Sequence, residues 1–237
     1  MTWLAAATAL VASPATATWT IVAVDQRTGE VGSAGASCTP FVAGVAQLVP
    51  GRGAVVAQAM SNMEAKAAAA ELIARRRSAQ AVVRAISDKT FDADADLQQY
   101  GVAVLGSRKP SAAAFTGNKT PKARGHLVAD GVAVQGNILV SEGVLRASFT
   151  AYQKAKRDNL PLADRLMVAL EAGSRAGGDA RCGAKTAQSA YLGVARRSDA
   201  WNRPSLRIVV STERERPDNP VAAVRREYEA QLRNKKR

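Results

Sequence analysis

The sequence predicts an α+β fold in which helices pack on the outside of antiparallel sheets. Predicted strands occur in blocks, and pairs of predicted helices separate those blocks. This order differs from the strict alternation of strands and helices that builds a parallel, doubly wound sheet. No linker, repeat or change of composition divides the chain after its first 17 residues. We therefore expect a single layered domain over residues 18–237.

The first part of that domain is predicted to hold four strands followed by two helices. β-branched and apolar residues dominate the strands, and glycines mark the turns between them. The two helices begin at Ser61, which has the capping-box spacing to Glu64, and at Ser78. The four strands are 18–25, 31–38, 42–49 and 54–60.

The second part repeats this order of strands before helices. Asp130-Gly131 is predicted to form the turn before a strand that ends at Asn137, and Pro161 suits the first position of a helix. The other predicted elements are strands 100–106, 111–117, 189–198 and 206–212, and helices 141–158, 161–178 and about 218–237, the last of them basic.

The net charge of +13 and the isoelectric point of about 10.3 favour anionic partners. The basic residues are scattered along the chain, except for the run at 233–237. Basic residues do not interleave with aromatic ones, and no Cys/His finger occurs. The sequence therefore predicts no specific binding of nucleic acid.

The first 17 residues have features of an export signal. An uncharged apolar run at 3–12 is followed by small residues at 15–17, as before a signal-peptidase cut. The run is too short to cross a bilayer, so no transmembrane segment is predicted. We expect cleavage before Thr18 and a periplasmic or secreted protein. Since no Lys or Arg precedes the apolar run, the alternative is an N-terminal helix that stays attached.

Several common kinds of site are excluded by the residue types. His126 is the one histidine of the chain, and no motif for a zinc site, a nucleotide loop or a nucleophile elbow occurs. The acidic stretch 92–96 lacks the glycine and the glutamate of a calcium loop, because Leu97 and Ala103 stand at those positions. The sequence thus predicts neither a metal nor a cofactor.

Thr18 becomes a candidate nucleophile if cleavage makes it the first residue. A free α-amine has a pKa of roughly 8 and can act as the base for the hydroxyl of the same residue. Acyl transfer also needs donors for the developing oxyanion, and Gln58, Gln135 and Asn137 are candidates. Asp179 is a candidate for orienting the amine or a positive group of the substrate. For the three amides, a structural role at a turn or strand end is the alternative.

Several motifs, spaced in order along the chain, resemble the bacterial DUF1028 family. The motifs are TWTIVAVDQRTGEVGSAGAS, VPGRGAVVAQA, AAFTG, DGVAVQGNIL and AGGDARCG followed by QSA. The resemblance covers about residues 18–212. It implies the N-terminal nucleophile (Ntn) hydrolase fold, a four-layer αββα sandwich of two antiparallel sheets. It also places Thr18 at the position of the family's N-terminal threonine.

This chain departs from the resembled pattern in three ways. It has no lysine between Thr18 and Lys66, whereas proteasome-type Ntn enzymes tune the nucleophile with a lysine. Cys38 stands where the family often has lysine, and Cys182 lies in a longer glycine-rich loop. A single pair of cysteines in an exported protein favours one disulfide, and two separate buried thiols are the alternative. A Cys38–Cys182 disulfide beside the cleft would account for both cysteine departures.

Three functional hypotheses follow from these observations. The first is an exported amidohydrolase that uses Thr18 on a small-molecule or peptide-like amide. The second is a non-catalytic protein of the cell envelope that retains the Ntn fold for binding. The third is an enzyme that uses the Cys38 thiol with His126 as its base. Each of the three hypotheses is compatible with a homo-oligomer.

Overall fold

A computed structural model describes residues 18–212 and 219–234 of the 237 residues. The predicted leader and the last three residues of the predicted C-terminal helix lie outside the described residues. The strands are β1 (Thr18–Asp25), β2 (Glu30–Ser37), β3 (Ala46–Val49), β4 (Gly53–Ala59), β5 (Gln98–Val104), β6 (Ser111–Thr116), β7 (Gly125–Ala129), β8 (Val132–Asn137), β9 (Ser189–Ala195) and β10 (Leu206–Val210). The helices are α1 (Met63–Ala74), α2 (Ala79–Ile86), α3 (Gly143–Arg157), α4 (Leu162–Arg175) and α5 (Pro220–Asn234).

The strands of the described residues form two antiparallel sheets. One sheet has six strands in the order β10-β9-β2-β1-β8-β7, and the other has four in the order β3-β4-β5-β6. Strand β1 therefore lies inside the larger sheet, between β2 and β8. Its first residue, Thr18, is paired with Ser37 on one side and with Asn137 on the other. The α+β fold with two antiparallel sheets is confirmed.

Each sheet has helices on one face and the other sheet on its opposite face. Residues of α3, α4 and α5 share a buried core with one face of the six-stranded sheet, including Trp19, Ile21 and Leu170. Residues of α1 and α2 share a second core with the four-stranded sheet. A third core, which includes Val22 and Val56, joins the two sheets. Burial on both faces explains why the central strands have near-continuous apolar runs.

The side chains between the two sheets, called here the intersheet layer, change character along the strands. Because successive side chains of a strand point to opposite faces, Thr18 and Thr20 lie on the same face of β1 as Val22 and Val24. Toward one end the layer is apolar, with Val22, Val24, Val31, Ala54, Val56, Ala103, Ala133 and Ala195. Toward the Thr18 end its fully or almost fully buried residues are polar: Thr18, Thr20, Ser37, Gln58, Gln99, Gln135, Asn137 and Ser189.

The N-terminus of α1 differs from the predicted capping box. The side chain of Asn62, not of Ser61, accepts from the backbone N–H of Ala65. Ser61 itself has a left-handed φ of 54° and lies before the cap. The predicted cap of α2 is confirmed, since Ser78 Oγ accepts from the N–H of Ala81. Asparagine and serine are both strong N-caps, so spacing alone did not separate the two neighbouring residues.

An ion pair that is almost fully buried joins α4 to the end of β1. Arg165 Nη2 lies 2.9 Å from Asp25 Oδ2, and both side chains are almost inaccessible. Arg165 also donates to the carbonyl of Leu160, and Asp25 accepts from the N–H of Arg27 in the β1–β2 turn. The pair is therefore hydrogen-bonded on both sides, as a buried charge requires. Within the described residues, no helix has the length and apolar character needed to cross a membrane.

Candidate functional site

The polar end of the intersheet layer contains four buried carboxamide side chains. They come from both sheets, and we call them the amide cluster: Gln58, Gln99, Gln135 and Asn137. Gln58, Gln135 and Asn137 follow apolar stretches of their strands, whereas Gln99 precedes the apolar part of β5. All four lie on the face of their strand that is turned away from the helices. Burying a carboxamide costs free energy unless it is hydrogen-bonded, so this much amide in one place calls for a dense network.

Gln99 is the centre of that network. Its Oε1 accepts from Gln58 Nε2 at 2.7 Å and from Asn137 Nδ2 at 3.2 Å. Its Nε2 lies 2.9 Å from the carbonyl oxygen of Gly136, 3.1 Å from that of Gly125 and 2.9 Å from Thr116 Oγ1. One side chain of the four-stranded sheet thus holds two strands of the six-stranded sheet in place.

Thr18 lies at the edge of the amide cluster. Its hydroxyl donates to Ser37 Oγ at 3.4 Å, and its carbonyl oxygen accepts from Gln58 Nε2 at 3.3 Å. Ser37 Oγ also accepts from Thr39 Oγ1 at 3.0 Å. In the uncut chain the nitrogen of Thr18 is a peptide nitrogen and the residue is 1% exposed. The hydroxyl therefore has polar neighbours but no free amine beside it.

Thr20, two residues further along β1, connects the other two glutamines. Its hydroxyl donates to Gln58 Oε1 at 2.6 Å and accepts from Gln135 Nε2 at 2.5 Å. Gly101 on β5 faces Gln135 so closely that a Cβ there would lie 2.2 Å from Gln135 Oε1. The missing side chain at Gly101 therefore makes the space that Gln135 occupies.

Two buried carbonyl acceptors and one buried hydroxyl near Thr18 have no hydrogen-bond partner among the described residues. They are Asn137 Oδ1, Gln135 Oε1 and Ser189 Oγ. Asn137 is the direct strand neighbour of Thr18, and Ser189 is the strand neighbour of Ser37. An unmet acceptor in a buried site costs about 1–3 kcal/mol. Their concentration at one end of the sheets marks a place where a further donor would be stabilising.

Two strands that border this site end in strained backbone. Ala59 follows Gln58 with φ 71°, and Ile138 follows Asn137 with φ 49°. Positive φ is rare outside glycine and unfavourable for a β-branched residue such as isoleucine. The carbonyl of Ile138 accepts from Ala180 N–H at 3.0 Å, which ties this bend to the loop after α4. Strain of this kind persists at functional sites.

Asp179 lies beside the ends of β2 and β8 and holds the loop after α4. It is fully buried, and its carboxylate accepts from Cys38 N–H at 2.6 Å and from Arg181 N–H at 3.0 Å. Arg181 Nη2 forms an ion pair with it at 2.9 Å. Because Cys38 follows Ser37 directly, Asp179 is linked to the neighbour of Thr18 through one residue of backbone.

The predicted disulfide is confirmed. Cys38 and Cys182 are bonded, with Cα atoms 5.6 Å apart and a separation of 144 positions in sequence. The bond fastens the glycine-rich loop to the end of β2. It also removes the free thiol that the third hypothesis requires, so the proposed Cys38–His126 nucleophile is wrong for this structure.

A depression with a volume of about 440 Å³ opens beside the disulfide. Arg181 and Lys185 contribute two cationic side chains to its wall, and Gln188 and Thr212 contribute polar groups. Gln188 N–H donates to the carbonyl of Ser37 at 2.8 Å, which places this wall next to the Thr18 end of β2.

His126 and Lys66 occupy positions that the sequence did not indicate. His126 Nδ1 lies 2.9 Å from Thr116 Oγ1, the same hydroxyl that Gln99 contacts. The histidine is thus two hydrogen bonds from the centre of the amide cluster. The buried Lys66 donates its ammonium to the carbonyl of Gly44, and burial lowers its pKa.

The structure brings together Thr18, Gln58, Gln135 and Asn137, and places Asp179 in an adjoining network. Sequence reasoning missed Gln99, Thr20 and Ser37. A usable signal was present, because each is a polar residue at an inward position of a strand whose other inward residues are small or apolar. Within the part of the chain that the structure describes, no three His, Cys, Asp or Glu residues are grouped to hold a metal ion.

Comparison with known proteins identifies relatives of the chain. A model described as a family of unknown function (DUF1028) matches residues 18–219. No curated protein matches the sequence. The crystal structure of protein SPO2555 from Silicibacter pomeroyi, assigned to the same DUF1028 model, is similar, with 24% sequence identity and a TM-score of 0.74 over 90% of this chain and 88% of that chain. At that identity the likeness shows the fold alone. Since the family match spans most of the sequence, the chain belongs to the DUF1028 family.

Proposed function

We propose that this protein is an exported amide hydrolase of the Ntn type, with Thr18 as its N-terminal nucleophile after leader cleavage. The observation that carries the proposal is the place of Thr18. Thr18 begins a central strand, and its hydroxyl lies at the buried polar end of the intersheet layer. The carboxamide side chains of that layer come from both sheets. The DUF1028 match also begins at Thr18. The two facing sheets with helices outside are compatible with the four-layer αββα sandwich of that superfamily.

Cleavage before Thr18 would supply the base. The new α-amine, with a pKa of roughly 8, takes the proton of the Thr18 hydroxyl as the oxygen attacks the amide carbon of the substrate. The amine of the substrate leaves with that proton, and an ester remains on Thr18. Water then hydrolyses the ester and restores the hydroxyl. Asn137 Oδ1, an unpartnered acceptor on the strand neighbour of Thr18, is suited to accept a hydrogen bond from the new amine.

The developing oxyanion needs a donor that is already in place. Gln58 Nε2 is the carboxamide donor that contacts Thr18, at 3.3 Å from its carbonyl oxygen, and its other proton is donated to Gln99 Oε1. Gln58 can therefore serve the oxyanion only if it releases the carbonyl of Thr18. Asp179 fixes the backbone of Cys38 and Arg181 at the neighbouring depression. The cations there, Arg181 and Lys185, favour an amide substrate that carries an anionic group.

Labelling by an electrophilic probe tests this chemistry. A chain that starts at Thr18 should be acylated by a β-lactone at Thr18, and peptide mapping by mass spectrometry locates the adduct. Thr18→Ser keeps a hydroxyl and should retain labelling, whereas Thr18→Ala should lose it. A chain with one alanine left before Thr18 is the matched control, because its hydroxyl is intact but its amine is blocked. Equal labelling of that control and the Thr18 chain would refute the N-terminal base.

The second candidate is an envelope-binding protein without catalysis. The position of Lys66 favours this candidate. Its ammonium donates a hydrogen bond to the carbonyl of Gly44 and therefore does not act as the lysine that tunes the nucleophile in proteasome-type enzymes. Mutual pairing within the amide cluster also favours it, since Gln58 and Asn137 donate to Gln99. This candidate predicts that the chain beginning at Thr18 stays unlabelled and hydrolyses none of a panel of N-acyl amino acids.

A further inference from the structure

The end of the sheets opposite Thr18 carries a second depression, with a volume of about 450 Å³. Eight residues of β1 separate the two ends, which amounts to about 23 Å. Three arginines and a tryptophan line it, and we call it the arginine depression: Arg52, Arg76, Arg197 and Trp201. They come from the β3–β4 turn, the end of α1 and the loop between β9 and β10.

The three guanidinium groups form no ion pair among the described residues. Two arginines that neighbour the depression in sequence each have a carboxylate partner instead: Glu71 lies 3.6 Å from Arg75, and Glu30 lies 3.8 Å from Arg196. Three like charges that line one depression repel one another, although solvent screens the exposed Arg76 and Arg197, so a bound anion would be stabilising there.

Arg197 is held in place by two glycine turns. A Cβ at Gly51 would lie 2.7 Å from Arg197 Cγ, and a Cβ at Gly29 would lie 3.4 Å from Arg197 Nη2. The side chain therefore lies close against the backbone of both turns. A guanidinium positioned in this way loses less conformational entropy when it binds a ligand.

Arg76 is positioned at a cost to the backbone. It follows α1 with φ 59°, where glycine is the favoured residue, and its N–H donates to the carbonyl of Ile73 at 2.9 Å. The N–H of Arg77 donates to the carbonyl of Leu72, which completes a Schellman motif. The chain thus has arginine at a position where glycine would relieve strain, and that arginine lines the depression.

Trp201 lines both the arginine depression and a third depression, which has a volume of about 340 Å³. Half of Trp201 is exposed, so its ring offers an apolar face between the two. Gln47, Asn202 and Arg207 are among the residues that line this third depression. A ligand with an anionic head and an organic part would contact both.

We propose that the arginine depression binds a phosphate group whose organic substituent lies on Trp201. A carboxylate has two oxygens and one charge, and a single arginine can satisfy it with two parallel hydrogen bonds. Three arginines instead match the higher charge and greater number of oxygens of a phosphate ester. The phosphate belongs to a soluble ester or to a lipid headgroup, which share this chemistry.

Titration calorimetry of the full chain with inorganic pyrophosphate tests the head group. We expect saturable binding at one site, weakened at least about tenfold when Arg52, Arg76 and Arg197 are all changed to Ala. The control replaces Arg84, Arg108 and Arg157 by Ala, which removes the same charge from exposed positions without an ion pair among the described residues. That control should change the affinity less than about twofold. Equal weakening by both sets, or no saturable binding, would overturn the proposal.

The variant Arg76→Gly tests whether misfolding accounts for a loss of pyrophosphate affinity. Glycine accepts the left-handed backbone, so this variant should melt at the same temperature as the parent or higher while its pyrophosphate affinity falls. An unchanged affinity in this stable variant would contradict the role of Arg76.

Phenyl phosphate and vesicles of phosphatidylglycerol or phosphatidylcholine distinguish a soluble phosphate ester from a lipid headgroup. Tighter binding of phenyl phosphate that depends on Trp201 indicates a soluble ester. Binding to phosphatidylglycerol alone that depends on the three arginines indicates a headgroup.

Discussion

At the scale of single residues, Gln99 determines how the polar end of the intersheet layer is organised. It accepts from Gln58 and Asn137 and donates toward two backbone carbonyls of the facing sheet. Hydrogen bonds in such a network strengthen one another in a low-dielectric interior, and a network that is partly broken is costly. Changes around the amide cluster should therefore affect both stability and the geometry at Thr18.

Gly101→Ala should disturb the amide cluster from behind. The new Cβ would lie 2.2 Å from Gln135 Oε1, so the side chain that donates to Thr20 must move. We expect a loss of about 1–3 kcal/mol in the free energy of unfolding, measured by urea denaturation. Gly193→Ala is the matched control, because its Cβ would lie at an ordinary 3.5 Å from Leu48 Cδ1. A control variant as unstable as Gly101→Ala would show that the contact with Gln135 is not the cause.

His126 should make stability depend on pH. Thr116 Oγ1, 2.9 Å from Gln99 Nε2, can direct its own proton to His126 Nδ1 only while the ring is neutral. Partial desolvation lowers the pKa of His126 below its usual 6.5, although solvent still reaches the residue. The unfolded chain therefore binds the proton first, and stability falls as the pH drops below about 6.5 until the folded-state pKa is passed. His126→Gln keeps an acceptor without titrating.

Urea denaturation of both proteins between pH about 7 and about 5 measures this effect. The slope of stability against pH should be shallower in His126→Gln than in the parent. The same slope in both proteins would mean that another group dominates this pH range.

At the scale of elements, the buried pair of Asp25 and Arg165 fixes α4 on β1. Removing Arg165 leaves the buried carboxylate of Asp25 with the exposed Arg27, 4.0 Å away, as its ion partner, so Arg165→Met should cost about 3–5 kcal/mol in the free energy of unfolding. Adding Asp25→Asn removes the stranded charge while its side-chain oxygen can still accept from Arg27 N–H. The double variant should therefore be more stable than Arg165→Met alone. Chemical denaturation of the three proteins checks this, and a double variant less stable than the single one would contradict it.

Most elements were predictable because local rules specify them. The glycine turn at Gly29, the serine cap at Ser78 and the apolar runs of the strands each depend on neighbours in sequence. The start of α1 was misassigned because Ser61 and Asn62 are both good caps. The side-chain network of Gln99 was not predictable, since it depends on which strand ends meet across two sheets. The grouping of Gln58, Gln135 and Asn137 was anticipated only as a set of candidates.

At the scale of the whole molecule, the disulfide joins the first half of the chain to the second half. It joins residues that are 144 positions apart, and closing such a long loop removes much entropy from the unfolded state. Reduction, or replacement of Cys38 and Cys182 by Ser, should lower the free energy of unfolding by about 2–5 kcal/mol. Denaturation with and without reductant measures this, and alkylation without reductant should leave the mass unchanged. Two alkylated thiols would refute the bond.

The molecule also has two cationic depressions at opposite ends of its sheets. One lies beside the disulfide with Arg181 and Lys185, and the other contains Arg52, Arg76 and Arg197. The net charge of +13 is therefore concentrated in part at two places with different neighbours. The first adjoins the proposed chemistry of Thr18, and the second is independent of it, so that the two proposals can fail separately.

The N-terminal residue of the protein recovered from the cell envelope or medium tests the central claim most directly. The proposed chemistry requires the α-amine of Thr18, which does not exist while residue 17 is attached. Intact mass and N-terminal sequencing should give a chain of 220 residues (237 minus 17) that begins Thr18-Trp19-Thr20. A mature protein that begins at any other residue would contradict the proposal of Thr18 as nucleophile.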